Sequence, residues 1–258
     1  MNLHAAVISH VGRVRSNNED NFYLQGQIRQ DVDQLNTRAQ FSGPDAQVLF
    51  AVADGMGGEA QGEFASLAAV RSLRPAAIGR AAAEATRSIG RANAVICREM
   101  DRIGRRMGTT LAALYVDQGK GIACNVGDSR VYLLRGGTLT QLSTDHSQVQ
   151  QMVQLGLLTP EEARSHPGRH ALTQHLGIRE DEMILEPAFS EELALEEGDV
   201  FLLCSDGLTD MVEDETIAAL LSAGTQEHQV QELVERALAN GGRDNVTVLV
   251  AHVSGESL

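Results

Sequence analysis

Short, continuous apolar runs punctuate the chain at residues 48–53, 200–204 and 246–253. Runs of this length, rich in Val, Leu and Phe, predict strands buried on both faces. Residues 5–9 and 21–24 predict two further strands around a polar turn carrying Arg15 to Asp20. Residues 25–47 are polar, with Gly43-Pro44 near their end, and read as a long hairpin loop or an insertion without a role. Phe64, Leu67, Ala68 and Val70 recur at helical spacing over residues 62–73, and Pro75 ends that helix. Residues 76–105 predict one long helix, or two broken near Gly90. Four stretches rich in β-formers follow, at 109–116, 121–126, 130–134 and 138–142. Gly119, Gly127 and Gly136-Gly137 separate them, which predicts an antiparallel meander.

Beyond the meander, residues 146–155 predict a helix. Thr159-Pro160-Glu161-Glu162 has the cap, first-turn proline and third-position glutamate of a helix start. Residues 183–189 and 200–204 predict strands. In residues 226–239, Val230, Leu233, Val234, Ala237 and Leu238 share one face of an amphipathic helix. Strands cluster toward both ends with helices between, so the pattern favours an α+β fold with antiparallel sheets over a doubly wound one. No repeat or linker divides the 258 residues, and one domain over 1–258 is expected.

Composition narrows the function. The formal net charge is −14, from 21 basic and 35 acidic residues. Bulk electrostatics therefore disfavour binding to a nucleic-acid backbone or an anionic membrane. Cys97, Cys124 and Cys204 form no Cys-x-x-Cys pair and read as reduced, small buried residues. No basic-then-apolar leader and no apolar run of membrane-spanning length is present. A cytoplasmic protein is expected.

The candidate chemistry lies in aspartates at strand ends. Asp54 follows the run 48–53, Asp206 follows 200–204, and Asp244-Asn245 opens 246–253, while Asp20 follows Asn18-Glu19. Asp-Gly pairs stand at 54–55 and 206–207. Each such segment alone can be a plain turn. Together they are what a fold needs to gather hard oxygen ligands around divalent cations, with glycines that let backbone approach closely. That points to metal-assisted chemistry on a phosphate.

Further segments complete a set: Arg15 to Asp20, Asp54-Gly55-Met56-Gly57-Gly58, Gly108-Thr109-Thr110, Gly127-Asp128-Ser129-Arg130, Thr144-Asp145-His146, Ser205-Asp206-Gly207-Leu208 and Gly241-Gly242-Arg243-Asp244-Asn245. In this order they resemble the metal-dependent protein Ser/Thr phosphatases of type 2C, in their compact bacterial form, over nearly the whole chain. The resemblance implies a four-layer α-β-β-α sandwich with the metal site at one end, and a flap at about 143–177. It implies two Mn²⁺ or Mg²⁺ ions bridged by Asp54. The Gly55 carbonyl helps hold one ion, Asp206 and Asp244 hold the other, and Glu19 and Asp20 act largely through waters. A weaker third ion falls to Asp128 with Asp206, and Arg15 grips the substrate phosphate.

The implied reaction is attack on phosphoserine or phosphothreonine in proteins by a hydroxide shared between cations ~3.5–4 Å apart, without a covalent intermediate. The implied partners are a Ser/Thr kinase or its substrates. The chain departs from the family at Glu59, where many members carry histidine. A water is the preferred proton donor to the leaving group, so Glu59→Gln is expected to change turnover modestly. The flap histidines His166, His170 and His175 read as surface residues. Two alternatives stay open: a two-metal phosphodiesterase, which the acidic charge disfavours, and a non-catalytic phosphoprotein-binding relative.

Overall fold

A computed structural model describes residues 1–31, 33–57 and 61–255. In chain order the elements are β1 (Asn2–His10), β2 (Asn21–Leu24), β3 (Gln27–Ile28), β4 (Thr37–Pro44), β5 (Val48–Ala53), β6 (Gly55–Met56), α1 (Gln61–Ser72), α2 (Ile78–Ile103), β7 (Gly108–Thr109), β8 (Leu111–Asp117), β9 (Lys120–Val126), β10 (Arg130–Arg135) and β11 (Thr138–Gln141). They continue with α3 (Gln148–Gln154), α4 (Pro160–Ser165), β12 (Ala188–Phe189), β13 (Leu193–Ala194), β14 (Val200–Cys204), α5 (Asp206–Thr209), α6 (Asp214–Leu221), α7 (Gln226–Ala239) and β15 (Val246–Ser254).

Two antiparallel sheets carry the fold. One runs β11-β10-β14-β15-β1-β4; the other runs β12-β9-β8-β5-β2-β3, with β13 also on β9. The continuous apolar strands follow from burial on both faces. In β5, Val48, Phe50 and Val52 enter a core shared with Leu3, Phe201 and Leu249 of the other sheet. Leu49, Ala51 and Ala53 face the opposite way, toward Ala85, Ile89 and Ile96 of α2. A third apolar layer joins Ile8, Leu202 and Val250 to Ile217 of α6 and Leu233 of α7. Helices thus cover the outer face of each sheet, as the α-β-β-α expectation requires.

The structure corrects several local expectations. Residues 25–47 are not a featureless loop: they contain β3 and β4, and β4 pairs with β1 from Ser9↔Thr37 to Asn2↔Pro44. Half-buried and exposed residues alternate along β4, which suits an edge strand and hides its signal among polar residues. The four-strand meander is split. β8 and β9 pair in one sheet and β10 and β11 in the other, so the chain crosses between sheets at residues 127–129. Helix α2 runs unbroken through Gly90 and ends at Gly104, whose φ of 70° permits the left-handed cap. Of residues 183–189, only Ala188–Phe189 is strand. The capping box at Thr159 forms as expected.

Candidate metal centre

Asp54 leaves the end of β5 with its backbone fixed on both sides. Its N–H donates to Thr110 Oγ1 (3.0 Å), and its carbonyl accepts from Thr110 N–H and Thr109 Oγ1 (both 2.9 Å). Asp206 opens α5 directly beyond β14, and Asp244 lies two residues before β15. Asp128 sits at the crossover between sheets, where Gly127 (φ 97°) lies so close to Thr110 that a Cβ would be 2.6 Å from its Cγ2. The segments that bear these carboxylates touch backbone to backbone. A Cβ on Gly55 would fall 2.5 Å from the Glu19 carbonyl, and one on Gly207 would fall 1.9 Å from that of Asn245.

Asn245 acts as the knot. Its Oδ1 accepts from Glu19 N–H (2.8 Å), while its Nδ2 donates to the carbonyls of Val11 and Asn17 (both 2.9 Å). This joins the Asp244 turn to the Glu19-Asp20 turn. Arg130 forks onto Asp145 with contacts of 2.6–3.0 Å, and Asn125 Nδ2 donates to the Thr144 carbonyl (2.7 Å). These bonds explain why the segments around Asp128 and Asp145 occur together: each braces the crossover.

Arg15, Glu19, Asp54, Gly55, Asp128, Asp206 and Asp244 line one cleft of about 460 Å³. Asp20 is fully buried and adds its charge to the same group. Its Oδ2 accepts from Ser205 Oγ (2.8 Å), whereas its Oδ1 has no partner among the described residues. Loss of solvent, then the charges of neighbouring carboxylates, raise Asp20 to about 7 and Asp128 to about 8. The same causes hold Asp54 well above the ordinary carboxylate range, and burial raises Glu19. Clustered carboxylates resist ionising together unless a cation or protons compensate them. An orphaned buried oxygen and an all-oxygen donor set fit Mg²⁺ or Mn²⁺. Arg15 lies at the rim, with one guanidinium nitrogen 2.7 Å from Asp244 Oδ2.

Several supporting residues escaped the sequence. Arg29, from the supposed insertion, is buried and donates to the carbonyls of Asn18 and Asp20. Glu63 of α1 is also buried and accepts from Asn17 Nδ2 (2.8 Å), which donates to Glu19 as well (3.1 Å). The histidines at 170 and 175 do not share one fate. His175 is half-buried, with Nδ1 2.8 Å from the Leu176 carbonyl, and packs over Gly108. His170 reaches the cleft, its ring nitrogens 3.4–3.6 Å from Asp210 and Asp206. Glu59 and Gly58 lie outside the described residues. No helix among the described residues is long and apolar enough to cross a membrane.

Comparison with known proteins agrees with this geometry. The serine/threonine protein phosphatase PstP of Mycobacterium tuberculosis is 38% identical over 257 residues; the match covers 97% of this chain but 45% of PstP. The chain therefore spans about half the length of that relative. The serine/threonine phosphatase stp of Listeria monocytogenes is 36% identical, over 96% of this chain and 95% of its own. A solved structure of the PstP catalytic domain in complex with two manganese ions superposes with a TM-score of 0.80 at 34% identity, covering 99% of this chain and all of that one. A profile of the family described as protein phosphatase 2C matches residues 23–241. On fold, sequence and clustered carboxylates together, the chain belongs to the protein phosphatase 2C family.

Proposed function

We propose that this chain hydrolyses phosphoserine and phosphothreonine monoesters in proteins, using a pair of divalent cations. The convergence of Asp20, Asp54, Asp206 and Asp244 from four separate segments, with Asp20 Oδ1 left without a partner among the described residues, carries this reading. In it Asp54 would be the carboxylate shared by the pair, the Gly55 carbonyl would help hold one ion, and Asp206 and Asp244 would hold the other. Glu19 and Asp20 would act largely through waters, and Asp128 with Asp206 would offer a weaker third position. When bound, Mn²⁺ or Mg²⁺ neutralises the phosphate and lowers the pKa of the attacking water.

The residues of the chain supply positioning. The carboxylates hold their places because Thr109, Thr110, Ser205 and Asn245 fix the turns that bear them. Arg15 is about half exposed in its pair with Asp244. Such a pair is weak, so the guanidinium is free to fork onto two phosphate oxygens. The leaving Ser or Thr oxygen takes its proton from a water, since Glu59 stands where many relatives carry histidine. We assign the whole of 1–258 to one catalytic domain with residues 143–177 as its flap. Its natural substrates are a Ser/Thr kinase or that kinase's targets, in the cytoplasm.

The test is phosphate release from a phosphothreonine peptide with Mn²⁺, Mg²⁺ or EDTA, beside a phosphodiester. Metal-dependent release from the monoester, lost in Asp54→Asn, is expected. Faster turnover of the diester would replace the reading with a phosphodiesterase. Binding of the peptide without turnover would replace it with a phosphoprotein-binding relative.

A further inference from the structure

We infer that Arg13 and Arg243, at the rim of the metal cleft, hold a second anion of the substrate, a carboxylate or a phosphate carried close to the phosphorylated side chain. The inference rests on the phosphatase reading above and names the class of segment that the site prefers: one that is acidic, or phosphorylated more than once.

The backbone assembles the rim. Arg13 N–H donates to the Gly242 carbonyl (2.7 Å). Gly12 (φ 84°) lies so near the same turn that a Cβ would be 2.2 Å from the Asp244 carbonyl oxygen. A Cβ on Gly242 (φ 51°) would be 3.2 Å from Arg13 Cγ, so the bare glycine lets the arginine stem lie against that turn. Two turns are thereby locked together, and each carries a cation beside a residue that lines the cleft. Arg13 stands two positions before Arg15, and Arg243 directly precedes Asp244. Arg15 and Asp244 are themselves 2.7 Å apart. Neighbouring Cα atoms are about 3.8 Å apart, and an extended peptide advances by about 3.3–3.6 Å per residue. Long arginine side chains at these two positions therefore reach groups about one to three residues from a phosphate gripped by Arg15.

Both arginines are exposed, and among the described residues neither makes an ion pair or a side-chain hydrogen bond. Arg38 of β4 adds a third exposed cation nearby. Burial, and then the charges of Arg38 and Arg13, lower the pKa of His10 at the end of β1, which sets both cations around one ring. A chain of net charge −14 repels anionic segments at a distance. Salt screens that field beyond about 10 Å, so local cations decide what happens at the cleft. The planar fork of arginine matches both carboxylate and phosphate. An exposed ion pair is weak, worth at most about fivefold in affinity, and two on one anion give a preference of about tenfold. Contacts remote from the reacting atoms act alike on bound substrate and transition state, so the preference belongs in KM rather than kcat.

Steady-state kinetics with Mn²⁺ test this on three phosphothreonine peptides that differ only beside the phosphothreonine. One has neutral neighbours, one has glutamates, and one has a non-hydrolysable phosphonate. The enzymes are the wild type, the double variant Arg13→Gln/Arg243→Gln, and Arg80→Gln, which removes an exposed arginine from α2 in the outer helix layer. Circular dichroism verifies that each is folded. In the wild type, an anionic neighbour is expected to raise kcat/KM about tenfold through KM, and added salt to erode that gain. The gain falls below about twofold in the double variant and survives in Arg80→Gln. A gain from the phosphonate alone identifies a second phosphate as the anion; a gain from both identifies negative charge in general. Equal kcat/KM for neutral and anionic peptides in the wild type, or a gain that persists in the double variant, overturns the assignment. Equal loss in Arg80→Gln traces the gain to overall charge and overturns it too. Absence of turnover on every peptide removes the phosphatase reading. The rim is then judged by the Kd of the same peptides in fluorescence anisotropy, where equal affinity for neutral and anionic neighbours overturns it.

Discussion

Arg29 holds the turn that presents Glu19 and Asp20, although it lies in a polar stretch with no chemistry of its own. Its guanidinium reaches the carbonyls of Asn18, Asp20 and Gln34. Replacing it with Met keeps much of the bulk and strands those acceptors, at about 1–3 kcal/mol for each that stays buried. Arg29→Met is expected to lower stability by about 3 kcal/mol in denaturant unfolding and to weaken Mn²⁺ binding by calorimetry. Asp54→Asn, by contrast, should leave the fold intact and lower turnover by on the order of 10³-fold or more. Asp54, Asp206 and Asp244 were legible because each sits where an apolar run meets a glycine or a polar turn. Arg29, Glu63 and His170 were not, because their partners lie across the fold and no local pattern marks them.

At the level of elements, two glycines with opposite surroundings separate what is tolerated from what is required. Gly90 is exposed within α2, and nothing approaches the position of its missing Cβ within 4 Å. Gly90→Ala should raise stability by about 0.5–1 kcal/mol, read as an increased denaturant midpoint with unchanged slope. Gly207 lies in α5, where a Cβ would collide with the Asn245 carbonyl. Gly207→Ala must push α5 off the Asp244 turn, so turnover is expected to fall by a larger factor than stability alone explains. A steady-state assay on protein shown to be folded by circular dichroism tests this. Periodicity found α7 to the residue because its apolar stripe is regular. It misplaced the partners of β9 and β10 because strand spacing alone does not say which sheet a strand joins. The deciding contacts, Gly127 against Thr110 and Arg130 with Asp145, span 15–17 residues.

For the molecule as a whole, the carboxylate cluster sets a pH dependence. Burial, and then neighbouring carboxylates, push Asp20 up to about 7 and Asp128 up to about 8 from the ordinary 3.8. A raised carboxylate pKa means that the folded state holds more protons than the unfolded chain between about pH 4 and 8. Stability of the metal-free protein should therefore fall as pH rises through that window. Mn²⁺ takes the place of those protons, so its stabilisation should be larger at pH 8 than at pH 5, as melting curves with Mn²⁺ and with EDTA will show. The first and last strands lie side by side: β1 and β15 pair in register from Asn2↔Ser254 to His10↔Val246. Among the described strands, that pairing closes the largest loop of chain. Joining the two strands with a short glycine linker and reopening the chain in the exposed turn at Gly136-Gly137 would turn that distant contact into a hairpin. Such a circular permutant should refold faster than the parent at similar stability, because the cost of closing the largest loop is removed from the route to the native state.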